Sequence, residues 1–171
     1  MENKYESYRN IANAYAFQMS KNNDQQKQIV CLESKLEDLE QYGRRTSLRF
    51  HNVPLTNDDL QNTDSIIVSI INNKMQVTPP LTVNDINRSH IIGQIQNGKC
   101  QIIARFRNWK VKNSVYMAKR NLYKNPDNIF VTEDLTKYRQ QIVKELSNQK
   151  KAKKNQLILC IRWPNFRQSV G

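Results

Sequence analysis

Apolar residues recur at a three-four spacing along the first quarter of the chain: Tyr8, Ile11 and Tyr15, then Ile29, Leu32, Leu36 and Leu39. No Pro or Gly falls between Lys4 and Tyr42, so the spacing predicts one long helix over residues 4–43, closed by Gly43. Carried through the gap, one register places Tyr8, Tyr15, Asn22, Ile29 and Leu36 at heptad position a. Ile11, Gln18, Gln25, Leu32 and Leu39 then fall at d. At ~1.5 Å per residue such a helix is about 60 Å long, and with so narrow an apolar stripe it is marginal alone in water. Self-association through Ile29, Leu32, Leu36 and Leu39 buries the stripe; the alternative is a helix folded back on the rest of the chain. The polar layers Gln18, Asn22 and Gln25 are expected to form a looser segment.

The pattern then changes period. Thr46 to Val53 alternates and stops at Pro54, as a strand does. Asn62 or Thr63 can cap a helix to about Met75 with Ile66, Ile67, Ile70 and Ile71 inward. Pro79-Pro80 breaks the chain, and a weak strand follows from Ile86 to Ile92. The turn Gln96-Asn97-Gly98 leads into the clearest strand, Cys100 to Phe106. Asn108 caps a helix to about Tyr123, with Trp109, Val111, Val115, Met117 or Ala118, and Leu122 on its apolar face. After the turn at Asn125 to Asn128, Ile129 to Thr132 forms a fourth strand. The order β-α-β-β-α-β over residues 46–132 predicts an α+β sandwich of ferredoxin or RRM type. Three parts are expected: a coiled coil over 4–43, an RRM-like domain over 44–134 and a basic C-terminal segment over 135–171. That segment reads as an amphipathic helix from Leu135 to about Lys154, then the strand-like run Leu157 to Ile161.

Charge changes the picture more than composition does. The 171 residues carry a formal charge of +12, yet residues 1–42 are net −2 and residues 43–171 net +14. A domain that cationic meets a polyanion, because each Lys or Arg set near a phosphate releases a condensed counterion. Membrane roles recede: the longest apolar run is Ile66 to Ile71, far short of a span, and no Lys/Arg-rich helix has an opposing Trp/Phe/Leu face. Met1-Glu2-Asn3-Lys4 lacks the basic-then-apolar start of a secretory leader. Cys31, Cys100 and Cys160 read as three reduced thiols of a cytosolic or nuclear protein. Four glycines are too few and too scattered for a phosphate-cradling loop.

In an RRM sheet the first and third strands lie centrally, and their outward residues meet the bases. With Leu48, Phe50 and Phe106 inward, the outward face is expected to carry Arg49, His51 and Arg105 in place of a row of rings. Guanidinium groups stack on bases or hold phosphates, which favours grip on the backbone with little sequence choice. A solvated arginine face is the bland alternative.

Several segments resemble the first-open-reading-frame protein of LINE-type non-LTR retrotransposons. They are Leu36-Glu-Asp-Leu-Glu-Gln-Tyr-Gly-Arg-Arg-Thr-Ser-Leu-Arg-Phe50, Ile86-Asn-Arg-Ser-His-Ile-Ile-Gly93, Ile102-Ile-Ala-Arg-Phe106 and Val131-Thr-Glu-Asp-Leu-Thr136 with Arg139 beyond. Their order and spacing over residues 29–146 carry the resemblance. It implies a trimeric coiled coil bearing RRM-like and C-terminal domains that bind single-stranded RNA and single-stranded DNA, coat a transcript as a cytoplasmic or nuclear ribonucleoprotein, and act as a nucleic-acid chaperone. By matched position it implies nucleic-acid contacts at Arg44, Arg45, Arg105, Arg120 and Arg139, beside the Arg49 of the sheet face. Against the family pattern the sequence has Ile91 where relatives often carry Arg, and by the resemblance a C-terminal domain cut short after Trp163 is expected.

Enzyme chemistry finds no support. Asp58-Asp59 and Glu133-Asp134 are adjacent pairs expected as caps or solvated charges, and Ser89-His90 lacks a nucleophile turn. His51, His90 and the cysteines lack metal-ligand spacing, so no cofactor or metal is expected. Two classes of function remain: an oligomeric single-stranded nucleic-acid binder, and a coiled-coil scaffold whose basic domain meets acidic protein surface.

Overall fold

The structure is a computed structural model that describes residues 2–55 and 62–152; the Leu157–Ile161 run lies outside them. The chain divides into two compact units, Met1–Thr136 and Lys137–Gly171.

The first unit opens with α1, Glu2–Arg44, a single uninterrupted helix. It runs one residue past Gly43, which keeps a helical backbone; the turn at Arg45 and Thr46 ends the helix instead. From Asn3 to Leu36 every side chain is exposed, and Ile29, Leu32, Leu36 and Leu39 are exposed by 47–69%. Only the last two turns touch the rest of the fold. Gln41, buried, donates from Nε2 to the carbonyl of Asp134 at 3.1 Å and accepts the N–H of Thr136 at 2.9 Å. Its amide thus serves two main-chain groups as a neighbouring strand would. Thr136 Oγ1 donates to Glu37 Oε1 at 2.6 Å one turn earlier.

Four strands follow: β1 Ser47–Pro54, β2 Ile86–Gln96, β3 Lys99–Phe106 and β4 Phe130–Glu133. They form one antiparallel sheet in the order β2-β3-β1-β4, with the first and third strands central. Leu48 and Phe50 face inward as alternation predicts, but strict alternation would turn Val53 outward. A bulge at His51–Asn52, where Asn52 takes φ +57°, adds one residue and returns Val53 to the core. Asn tolerates that left-handed backbone, and its Nδ2 donates to the carbonyl of Asn128 at 3.0 Å. β2 extends beyond Ile92 to Gln96 because Gly93, at φ +75°, lets the strand bulge and resume pairing. Asn97 and Gly98, both at positive φ, close the two-residue hairpin to β3.

Helices cover one face. Asn62 caps α2, Thr63–Ser69, by accepting the N–H of Ser65, and the helix widens into a π turn over Ile70–Lys74. Ile67, Ile70, Ile71 and Met75 enter the core, with Ile66 packed at its edge. Asn108 Oδ1 accepts the N–H of Val111 at 3.0 Å to start α3, Trp109–Ala118, which tightens to a 3₁₀ turn over Lys119–Leu122. Val115 and Leu122 are buried and Val111 and Ala118 pack at the margin; contrary to the apolar pattern, Trp109 and Met117 are about half exposed. Instead, Lys112 is buried: its ammonium pairs with Glu133 and lies 4.8 Å from the Tyr116 ring centroid. The core joins these helices to Leu48, Phe50, Ile102, Phe106 and Val131. The opposite face of the sheet is the one that carries the candidate site.

The second unit contributes α4, Lys137–Ala152, a basic helix with Val143 and Leu146 exposed.

Candidate nucleic-acid interface

Register pairs the outward residues of the sheet into rows. Nearest the β2–β3 hairpin, Phe130 pairs with His51, Gln101 hydrogen-bonds to His51, and Ile92 pairs with Gln101. The middle row is Thr132, Arg49, Ile103 and His90. The far row sets Arg105 between Ser47 and Arg88.

Arg88 and Arg105 are direct cross-strand partners, both exposed, with Cα atoms about 5 Å apart as such partners are. Among the described residues neither has a carboxylate within salt-bridge distance. Like charges directly opposite each other on a sheet oppose folding by up to about 1 kcal/mol. A phosphate placed between them turns that repulsion into two charge-assisted contacts. Arg88 is not legible as a site residue from sequence, because only the β2–β3 register brings it to Arg105.

The remaining arginines divide. Arg49 does not project freely: its guanidinium meets Asp134 Oδ1 at 2.7 Å, and Arg44 reaches the same carboxylate at 3.1 Å while holding Glu40 at 2.8 Å. Asp134, expected as a cap or a solvated charge, is 3% exposed and ties the end of α1 to β1. Two of the expected nucleic-acid cations therefore serve an internal ion cluster first. Arg45 is exposed, its guanidinium 3.7 Å over the Tyr42 ring. Arg120 follows α3 on the helix-covered side, its Nε donating to the carbonyl of Met117 at 3.3 Å, and does not join the open face. Arg139 stands in the first turn of α4, in the second unit.

His51 holds the hairpin end of the face. Gln101 Nε2 lies 2.9 Å from His51 Nδ1 and 3.3 Å from Nε2, and His51 Nε2 lies 2.8 Å from Thr132 Oγ1, so the ring is hydrogen-bonded to both neighbours. Burial first, and the nearby Arg49 charge second, hold its pKa below the ordinary 6.5. The ring lies flat against Phe130, centroids 4.2 Å apart and planes 3° from parallel. The first- and third-strand positions lack rings as expected, but β4 supplies one.

Glu133 pairs with Lys112, and Asp134 with Arg44 and Arg49. Among the described residues no three His, Cys, Asp or Glu side chains converge as metal ligands, and no helix is long and apolar enough to cross a membrane. Cys31 is exposed on α1 and Cys100 buried in β3, both as free thiols. The chain matches no known family model and no curated protein sequence.

Proposed function

We propose that this chain is an oligomeric single-stranded nucleic-acid binding protein that packages RNA into a ribonucleoprotein, as the resemblance to the retrotransposon first-open-reading-frame proteins implies, and acts there as a chaperone. The observation that carries the reading is the cross-strand Arg88–Arg105 pair on the open face of a sheet, which has no salt-bridge partner among the described residues, within a region of net charge +14. The strand order with β1 and β3 central, and α2 and α3 packed on one face of the sheet, supports an RRM-like domain. The exposed Ile29, Leu32, Leu36 and Leu39 stripe supports a coiled coil, and the resemblance favours three strands. Gathering several weak cationic faces on one stalk raises the effective concentration of each for a shared strand, so the assembly holds where one domain dissociates.

Filter binding of a single-stranded RNA across a salt series tests this. Submicromolar affinity with a steep salt dependence is expected. Arg88→Gln with Arg105→Gln should flatten the log–log slope by about 0.7 for each arginine withdrawn from a phosphate. Absence of retention at low salt overturns the reading and favours a protein-binding scaffold.

A further inference from the structure

The open face is chemically polar along its strands. Arg88 and Arg105, with no salt-bridge partner among the described residues, stand in one row, while Arg49 of the middle row is paired with Asp134. The row of Phe130, His51, Gln101 and Ile92 has no charged side chain, and Lys99 beyond it donates to the carbonyl of Asp127. Phe130 lies on the edge strand β4 and is 48% exposed. One face of its ring is covered by His51, whose two hydrogen bonds, to Gln101 and Thr132, fix the plane of the imidazole. The phenyl ring is thereby held upright on the sheet. The His51 stack already holds the ring in the free protein, so a planar partner meeting its other face finds a ring whose freedom is largely spent before binding.

Resting on the nucleic-acid reading above, we propose that Phe130 is a base-stacking platform. A nucleobase lies on the uncovered face of the ring and extends the His51–Phe130 stack by one member, while the strand's phosphates run toward Arg105 and Arg88. Along β3 the two ends are four residues apart, Gln101 to Arg105, or about 13 Å at the usual rise per residue. A short extended stretch of single strand covers that distance. Every base presents a π face, so the platform contributes affinity without reading sequence, and it selects single strands, whose bases are free to leave their own stack.

The test uses the full chain and a single-stranded oligonucleotide of about ten nucleotides bearing the fluorescent base 2-aminopurine, whose emission is quenched by stacking. Phe130→Ala should weaken binding about tenfold to a hundredfold, remove the quenching at saturation and leave the salt slope unchanged. Phe130→Leu, which keeps apolar bulk without a ring, should behave like alanine, and Phe130→Trp should retain both affinity and quenching. Arg88→Gln with Arg105→Gln should do the reverse, flattening the salt slope while quenching at saturation persists. If the unaltered chain binds while Phe130→Ala or Phe130→Leu matches it in affinity and emission, the platform is overturned and the nucleic-acid reading stands. If the unaltered chain binds no oligonucleotide, both are overturned.

Discussion

Replacing Asp134 by Asn should weaken the fold and strengthen nucleic-acid binding at once. The carboxylate is almost wholly buried and accepts from the Arg44 and Arg49 guanidiniums at 2.7–3.2 Å. Asparagine removes the charge and turns an amide donor toward guanidiniums that can only donate. Breaking a fully buried pair costs about 3–5 kcal/mol. Here the arginine side chains retain 34% and 24% exposure and can turn into water, which lowers the expected cost to about 2–3 kcal/mol. For a unit of this size that is a fall in melting temperature of about 7–10 °C, read by circular dichroism. Arg49 sits in the middle row of the open face, next to the row of Arg88 and Arg105, and loses the carboxylate that neutralises it. Each arginine released to a phosphate steepens the salt dependence of single-strand binding by about 0.7 in log–log slope, to about 1.4 if Arg44 joins. A folded variant with an unchanged or shallower slope would show that the open face is not where the phosphates lie.

Three further outcomes follow from the same geometry. Leu32→Asp with Leu39→Asp places charges in the exposed stripe of α1; monomers with at least about tenfold weaker RNA binding are expected, and sedimentation paired with filter binding checks both. Asn52→Val forces a β-branched residue to φ +57° and should cost about 1–3 kcal/mol in denaturant unfolding, whereas Asn52→Gly should be tolerated. His51 binds its proton less readily in the folded state than in the unfolded chain. Its contribution to stability is therefore complete above pH ~6.5 and declines as the pH falls below it. His51→Gln should make the loss of melting temperature between about pH 7.5 and pH 5 shallower, and parallel curves would refute this.

Much of the architecture is written in local pattern. The long first helix, the Asn97-Gly98 turn and the Asn108 cap each rest on local signals, and each forms where it is expected. What local pattern cannot carry is register. Arg88 meets Arg105 through hairpin pairing, and that hairpin includes a bulge at Gly93. Asp134 joins Arg44 and Arg49 across 90 and 85 residues, so a carboxylate that looks solvated becomes the buried link between α1 and the sheet. Phe130 falls within a strand legible from Ile129 to Thr132, but only its pairing with His51 shows that the ring stands on the open face. Lys112 sits at an apolar position of α3 because Glu133 on β4 supplies its counter-charge, a partner found only once α3 packs on the sheet.

Light scattering of the purified chain, alone and with a single-stranded oligonucleotide, decides whether subunits assemble and hold a strand together. A mass of several 20.2 kDa subunits is expected, rising by the mass of bound oligonucleotide when the strand is added. A mass of one subunit, unchanged by oligonucleotide in dilute buffer, would contradict this expectation.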